Sequence, residues 1–416
     1  MTHVDLTTAD SPRPGGTPTP DSPDPGAGVI ELPIGPDHPV GPLVVVAPDT
    51  FKGSLNAKYV AQHIALGLHR ALEDVEVQMV PMADGGEGTL SAVLVANLQP
   101  VRVRVSGPFG EPVEAMYATD GRRAVIELAQ AAGLHLSPAD ADAAQQGSTI
   151  GVGELIAHAL DSGVQELVLA VGGSATTDGG AGMLQALGAR LHGLTGPGGA
   201  ALRDLHRVDL SGLHPRLAEV GITLAADVDN PLLGPNGAAA VYYAPQKGAG
   251  PDQVAALQAG LTRWVQALEE AGVDAWATAQ AAGAGAAGGT GFAALVLGAR
   301  RRPGVEVVLE LVEFERKVRG ADLVITGEGK LDSQSLAGKA PVGVAAAATD
   351  AAVVSVAIAG VNELTEEEVE QAGFSGVYAL SDLEPDLERS KARAGELLER
   401  VAARIAARHL WTDLDQ

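Results

Sequence analysis

The sequence predicts an α/β protein of two domains: a doubly wound parallel sheet built from both ends of the chain, and an α/β domain with antiparallel and mixed strands inserted between them. Three observations carry this. At 416 residues the chain is long for one hydrophobic core. Apolar runs that end in glycine-bearing loops and lead into helical periodicity occur near both ends, which is the pattern of βα units. Between them, from about Val101, apolar and polar residues alternate as in an antiparallel meander. The expected division is a disordered tail over 1–41, the doubly wound domain over 42–98 plus 290–411, and the inserted domain over 99–289.

Taken in order, residues 1 to about 41 are rich in Pro, Gly, Asp, Ser and Thr and lack apolar periodicity. Leu43 to Ala47 reads as the first strand, and Val60, Ile64, Leu68 and Leu72 recur every fourth residue along one helix face. The loop between them puts Asp49 and Lys52 at the carboxyl end of a strand, where open α/β sheets bind ligands. Val75 to Met82 is a second strand, followed by the acidic glycine loop Ala83 to Thr89, which contains Asp84, Gly85 and Gly86. The meander comprises Val101 to Val105, Val113 to Tyr117 and Arg123 to Leu128. A helix over Gly151 to Leu160 then leads to Leu167–Val171, an unbroken apolar run suited to a sheet covered on both faces.

That run ends at Gly172 and Gly173. Ser174, Thr176, Thr177, Asp178 and the glycines 179, 180 and 182 follow, at the start of a helix. Such a turn can hold an anion, and it can equally be a tight turn that Asp178 caps. Ile222 to Ala226 is another strand, ending in Asp227-Val228-Asp229-Asn230-Pro231. This is an oxygen-rich cluster that suits either magnesium or an Asx turn before proline. Gly283 to Gly288 spells GxGxxG, but the residues before it read as helix rather than strand. The stretch is therefore taken as a flexible crossover and not as a dinucleotide fingerprint. Strands return at Leu323–Thr326, Val353–Ala359 and Gly376–Leu380; Gly338-Lys339-Ala340-Pro341 opens one helix, and Leu397, Val401 and Ile405 face the core from the last.

Composition narrows the chemistry. Fifty-two acidic residues against 28 basic ones, a net charge of -24, repel nucleic acid and anionic membranes. The absence of cysteine removes thiolate chemistry, so a metal must be held by oxygen or histidine. With no bilayer-length apolar run and no leader-like start, the expected location is cytoplasmic; a homodimer is compatible with the sequence. Only seven of the 28 basic residues are lysine, and four of them, Lys52, Lys247, Lys330 and Lys339, stand in glycine-containing loops. A compact ammonium there suits phosphate as a point charge. P-loop, protein-kinase, HExxH and GxSxG motifs are missing.

Six blocks then carry a resemblance: PDTFKGSL at 48–55, MADGGEGT at 82–89, GGSATTDGGAGMLQALG at 172–188, DVDNPLLGPNGAA at 227–239, PQKGA at 245–249 and ITGEGKLDSQSLAGKAPVGVA at 325–345. In this order they resemble the bacterial glycerate kinases of the glycerate kinase type-1 family, from about Leu43 to about Leu410. Two departures touch fine substrate contacts: Thr177 stands where the family usually has asparagine, and GSTI precedes Gly151 where a Thr-Ser pair and an aromatic are common. The resemblance implies a Rossmann-like domain made from both chain ends, and magnesium-dependent transfer of the ATP γ-phosphoryl group to a hydroxyl of D-glycerate.

For this chemistry the expected roles are as follows. Asp178 receives the hydroxyl proton, with Asp84 the alternative, and Lys52 assists. Lys330 and Lys339 hold phosphates together with Gly329, Gly173, Ser174 and Gly179. Asp49, Lys52, Gly85, Gly86 and Lys247 surround glycerate, and Glu328 with Asp229 or Asp332 holds magnesium. Transfer is expected to be direct, since positioning and charge neutralisation suffice. A kinase for another hydroxy acid and a non-catalytic sensor of small anions or nucleotides are the competing readings. Glycerate-dependent ATP turnover separates the sensor, and a substrate panel separates the other kinase.

Overall fold

The computed structural model describes residues 41–137, 141–241 and 249–410. All of the expected tail except Gly41 lies outside this range, as does Lys247. The chain begins with β1 (Leu43–Pro48), the helix Ala57–Ala71, β2 (Glu76–Met79) and the helix Thr89–Val95. The meander β3 (Gln99–Ser106), β4 (Pro112–Thr119) and β5 (Arg123–Glu127) follows. The helix Ile150–Asp161 then leads to β6 (Glu166–Ala170). A small hairpin, β7 (Arg190–His192) and β8 (Arg207–Asp209), precedes β9 (Gly221–Ala225), the long helix Pro251–Glu270 and β10 (Arg300–Arg302). The last strands are β11 (Leu323–Leu331), β12 (Ser355–Asn362) and β13 (Val377–Ala379).

These strands form two main sheets. The first is all parallel in the order β13-β12-β11-β1-β2, with Val44 opposite Leu323 and Thr326 opposite Ala47. Its apolar strands are covered on both faces, as their unbroken hydrophobic runs require. On one face lie the helices Ala57–Ala71 and Ala394–His409, which meet through Ile64, Leu68, Leu397, Val401 and Ile405. On the other, Val305, Val308, Phe314 and Val344 pack against Val45 and Val324. Asn56 sets the start of the first helix by accepting a hydrogen bond from the Tyr59 N–H at 3.1 Å.

The second sheet runs β10-β9-β6-β5-β4-β3, antiparallel through β3, β4 and β5 and parallel thereafter. β10 makes the chain stay with this sheet as far as Arg302, beyond the expected boundary at 290. Phe292, Ala293 and Ala294 lie in its core. Between the two sheets, the helices Thr89–Val95 and Gly304–Leu311 contribute Leu90, Val93, Val307 and Leu311 to an apolar layer against Ala118, Val125, Val168 and Ala225. Among the described residues, no helix is long and apolar enough to cross a membrane.

In the first sheet the chain moves from β1 to β2 on one side, while β11 and β12 continue on the other. The order reverses between β1 and β11. Parallel sheets open a crevice at such a point, beyond the carboxyl ends of the strands, and the loops that follow β1 and end β11 stand there.

Candidate active site

A cavity of about 450 Å³ occupies that crevice. The loop after β1 brings Asp49 and Lys52 to it. β11 brings Glu328, Gly329 and Lys330, with Asp332 just past its end, and the helix Ala340–Asp350 brings Lys339 as its N-cap residue. Lys52 is exposed and has no ion-pair partner among the described residues. Lys339 Nζ lies 3.3 Å from Glu328 Oε2, and Lys330 Nζ lies 2.9 Å from Glu363 and 3.3 Å from Asp332. Sequence reasoning missed the far wall, where Leu380, Leu387, Ala394 and Val361 line the same space beside Lys391. They are scattered between β12 and the charge-rich stretch 380–394, so no local pattern marks them as one wall.

A second cavity of about 210 Å³ adjoins the first; Asp84 lines both. Gly85, Gly86, Gly173, Ser174 and Asp227 form its polar side. Ala286, Ala287 and Gly288 close it, so the stretch expected to be a flexible crossover is instead a cavity wall. Ala287, Gly288 and Gly289 all take left-handed backbone conformations, which lets the chain turn sharply against Thr176 and Thr177.

Electrostatics at this junction are dominated by carboxylates. Asp49 is pushed up to about 8 by burial and then by the nearby charge of Asp84, against the hydrogen bond from the Thr50 N–H. Asp227, which accepts a hydrogen bond from the Gly304 N–H at 2.7 Å, is pushed up to about 7 by desolvation of its carboxyl, with Asp84 adding to the effect. Glu328 is raised by burial, and its Oε1 is buried without a hydrogen-bond partner. Asp332, despite some desolvation, is held low by Lys330, the Gln334 N–H and Lys339.

An acid whose pKa is raised on folding destabilises the ionised fold, and the sign can be worked out for Asp49. The folded protein keeps its proton up to about pH 8, whereas the unfolded chain releases it near the ordinary 3.8. Stability therefore falls as pH rises between these values. Asp49→Asn is expected to melt above the wild type at pH 8 to 9, with the gap closing towards pH 4. A gap that is flat with pH in thermal melts would remove the assignment.

Three expected site residues lie elsewhere. Asp178 is 2% exposed and faces inward. Its Oδ2 accepts hydrogen bonds from the Thr149 N–H and Oγ1–H, both at 2.8 Å, and from the Gly182 N–H at 3.1 Å, while Oδ1 accepts from the Gly180 N–H at 3.0 Å. Burial pushes its pKa up, and these four donors oppose that. Asp178, expected as the base, thus lies outside both cavities with its carboxylate engaged by four buried donors of the protein itself. Gly179 also lines neither cavity. Its N–H donates to Gly288 O and its carbonyl accepts from Trp264 Nε1, both at 3.0 Å, leaving nothing for a phosphate. Asp229 is exposed and paired with Arg301 at 2.6 Å, lining neither cavity, so it does not join Glu328 and Asp332.

The residues fit magnesium in a restricted sense. Among the described residues, no group of three or more acidic or histidine side chains is gathered as a closed metal site. Magnesium asks for less, since it retains waters and is often held by one or two carboxylates plus substrate phosphates. Glu328, with an orphaned buried oxygen beside a lysine-lined cavity, meets that requirement.

The chain as a whole has known relatives. The model of the glycerate kinase family matches residues 44–410. The chain belongs to the glycerate kinase family. It is 44% identical to a glycerate kinase of Bacillus subtilis (strain 168), and 41% identical to a glycerate 2-kinase of Escherichia coli (strain K12). Each match covers 88% of this chain and 97% of the relative. A crystal structure described as a candidate glycerate kinase 2 from Salmonella typhimurium LT2 superposes with a TM-score of 0.74 at 40% identity, over 88% of this chain and 98% of that one. Membership accounts for the order of the six blocks: those around Asp49, Asp84, Glu328 and Lys339 converge on the switch-point crevice, whereas most of the block around Asp178 builds the core behind it.

Proposed function

We propose that the protein is a kinase that transfers the γ-phosphoryl group of ATP to a hydroxyl of D-glycerate, in a cleft between two domains that correspond to the two main sheets. The observation that carries this reading is that one cavity joins four lysines, Lys52, Lys330, Lys339 and Lys391, to an apolar wall of Val361, Leu380 and Leu387. A nucleotide has the same two halves, a polyanion and a flat, weakly polar base. The cavity volume falls in the range of small-ligand sites. Glycerate then occupies the adjoining smaller cavity, with Lys52 at the mouth and the backbone of Gly85, Gly86 and Gly173 around it.

In this reading Asp84, at the junction, orients the attacking hydroxyl and receives its proton while the oxygen bonds to the γ-phosphorus and ADP departs in line. Lysine ammoniums neutralise the charge that spreads over the phosphoryl oxygens. Magnesium, when bound, would add to that neutralisation, and Glu328 and Asp332 are the residues that would hold it. The identity to a relative named glycerate 2-kinase supports attack by the 2-hydroxyl.

Release of ADP with D-glycerate, L-glycerate, glycolate, lactate and tartrate in turn tests this, with the product position read by phosphorus NMR. Turnover is expected with D-glycerate above all others, giving 2-phosphoglycerate. Faster turnover of another acid moves the substrate, and tight binding of ATP and glycerate without ADP release would make the protein a sensor.

A further inference from the structure

A cavity of about 480 Å³ opens at the opposite edge of the second sheet from the cleft. Arg123, Glu166 and Arg300, which line it, are the first residues of β5, β6 and β10. Residues that line the smaller cavity of the cleft follow the last residues of β6 and β9, so at about 3.3 Å per residue the first residues of these strands stand roughly 15 Å from it, while the arginine cavity runs along the strands as far as Arg302.

Its charge is unlike that of the rest of the molecule. Arg123 Nε lies 3.1 Å from Glu166, and Arg122 Nη2 lies 3.0 Å from the same carboxylate. Arg302 Nη1 lies 2.7 Å from Glu310, which Arg123 also approaches at 4.0 Å. Both glutamates are thus shared between two arginines, and Arg300 has no ion-pair partner among the described residues. Three guanidiniums, Arg123, Arg300 and Arg302, line the cavity against two carboxylates, with Arg122 adding its charge from outside the lining, which leaves a local excess of positive charge in a chain of net charge -24. Beneath them the floor is apolar, with Leu167, Val220 and Ile222. Guanidinium forks match phosphate and carboxylate oxygens, and an apolar floor suits a carbon skeleton more than a bare inorganic ion.

One wall is the helix Gly304–Leu311, through Val307, Glu310 and Leu311. The first residue of this helix donates its N–H to Asp227, and a Cβ at Gly304 would stand 1.9 Å from Asp84 O. A single eight-residue helix therefore touches the arginine cavity with one end and the acidic junction of the cleft with the other.

We propose that this cavity is a second anion site, which takes a small organic phosphate and acts on the cleft through the helix Gly304–Leu311. The probe is glycerol 3-phosphate, titrated calorimetrically into the full chain with the cleft saturated by a non-hydrolysable ATP analogue. One saturable site is expected in the wild type. Arg300→Ala is expected to weaken it tenfold or more, with circular dichroism and basal kcat unchanged, while Arg300→Lys retains part of the affinity. The same probe should shift KM for ATP, or kcat, at least twofold in the wild type and not in Arg300→Ala. Loss of the signal once the cleft is filled, wild-type affinity in Arg300→Ala, or equal competition by sulfate would overturn the site. Binding without a kinetic shift would overturn its action on the cleft. The binding arm does not depend on glycerate turnover, so its failure is separable from failure of the assigned reaction.

Discussion

Asp84→Asn is expected to lower kcat by roughly a hundredfold or more while ATP still binds. The amide keeps the size of the carboxylate and can still accept the Gly86 N–H, which reaches Asp84 Oδ1 at 3.2 Å, so the loop should hold its shape. What is lost is the ability to take a proton where the two cavities meet. A second readout guards against a merely structural effect. Because the Asp84 charge raises both Asp49 and Asp227, its removal should lower their pKa values and shift the pH profile of residual binding to the acid side. A folded Asp84→Asn protein with near-normal kcat would end the assignment.

Asp178→Ala is expected to cost roughly 3–5 kcal/mol of stability, because four buried donors lose their acceptor at once. Thr149 would suffer most. It gives both its N–H and its hydroxyl to Asp178, and its Oγ1 accepts from the Met183 N–H at 2.9 Å, so the change unties the starts of two helices together. Chemical denaturation should show the loss, and the fraction that remains folded should keep most of its kcat. The reverse pattern, full stability with collapsed turnover, would return Asp178 to the chemistry.

The contrast between these two aspartates shows what sequence can and cannot convey. Leu43–Ala47 and Leu323–Thr326 were legible as buried parallel strands from their apolar runs, and the stretches after them could be read as ligand loops from position alone, although the second strand in fact runs on through Glu328 and Lys330 to Leu331. Glu328, Lys339, Asp49 and Asp84 followed from that logic, and they line one crevice. Asp178 sits in a loop of the same local chemistry, yet its carboxyl points the other way. Its direction is set by Thr149, 29 residues earlier, a partner that no local pattern reveals. β10 escaped for a related reason: Arg300-Arg301-Arg302 has no apolar residue at all and pairs only at the edge of its sheet. Ala287 escaped because a left-handed alanine is imposed by packing and has no signature in the residue itself.

The position of β1 between β2 and β11 has a consequence for how the chain comes to be folded. Val44 must wait for Leu323 before its sheet can close, whereas β3 to β10 need nothing outside residues 99–302 for their own pairing. During synthesis the middle of the chain can therefore gain protection first, while the hydrophobic strand Leu43–Pro48 stays exposed to the solvent and to chaperones until nearly the whole chain has emerged. Protease resistance of ribosome-arrested chains ending near residue 320 should be confined to that middle portion. If so, substitutions near the C-terminus, in β11 or β12, will act on yield by lengthening the time for which the β11-facing edge of the amino-terminal strand remains unpaired.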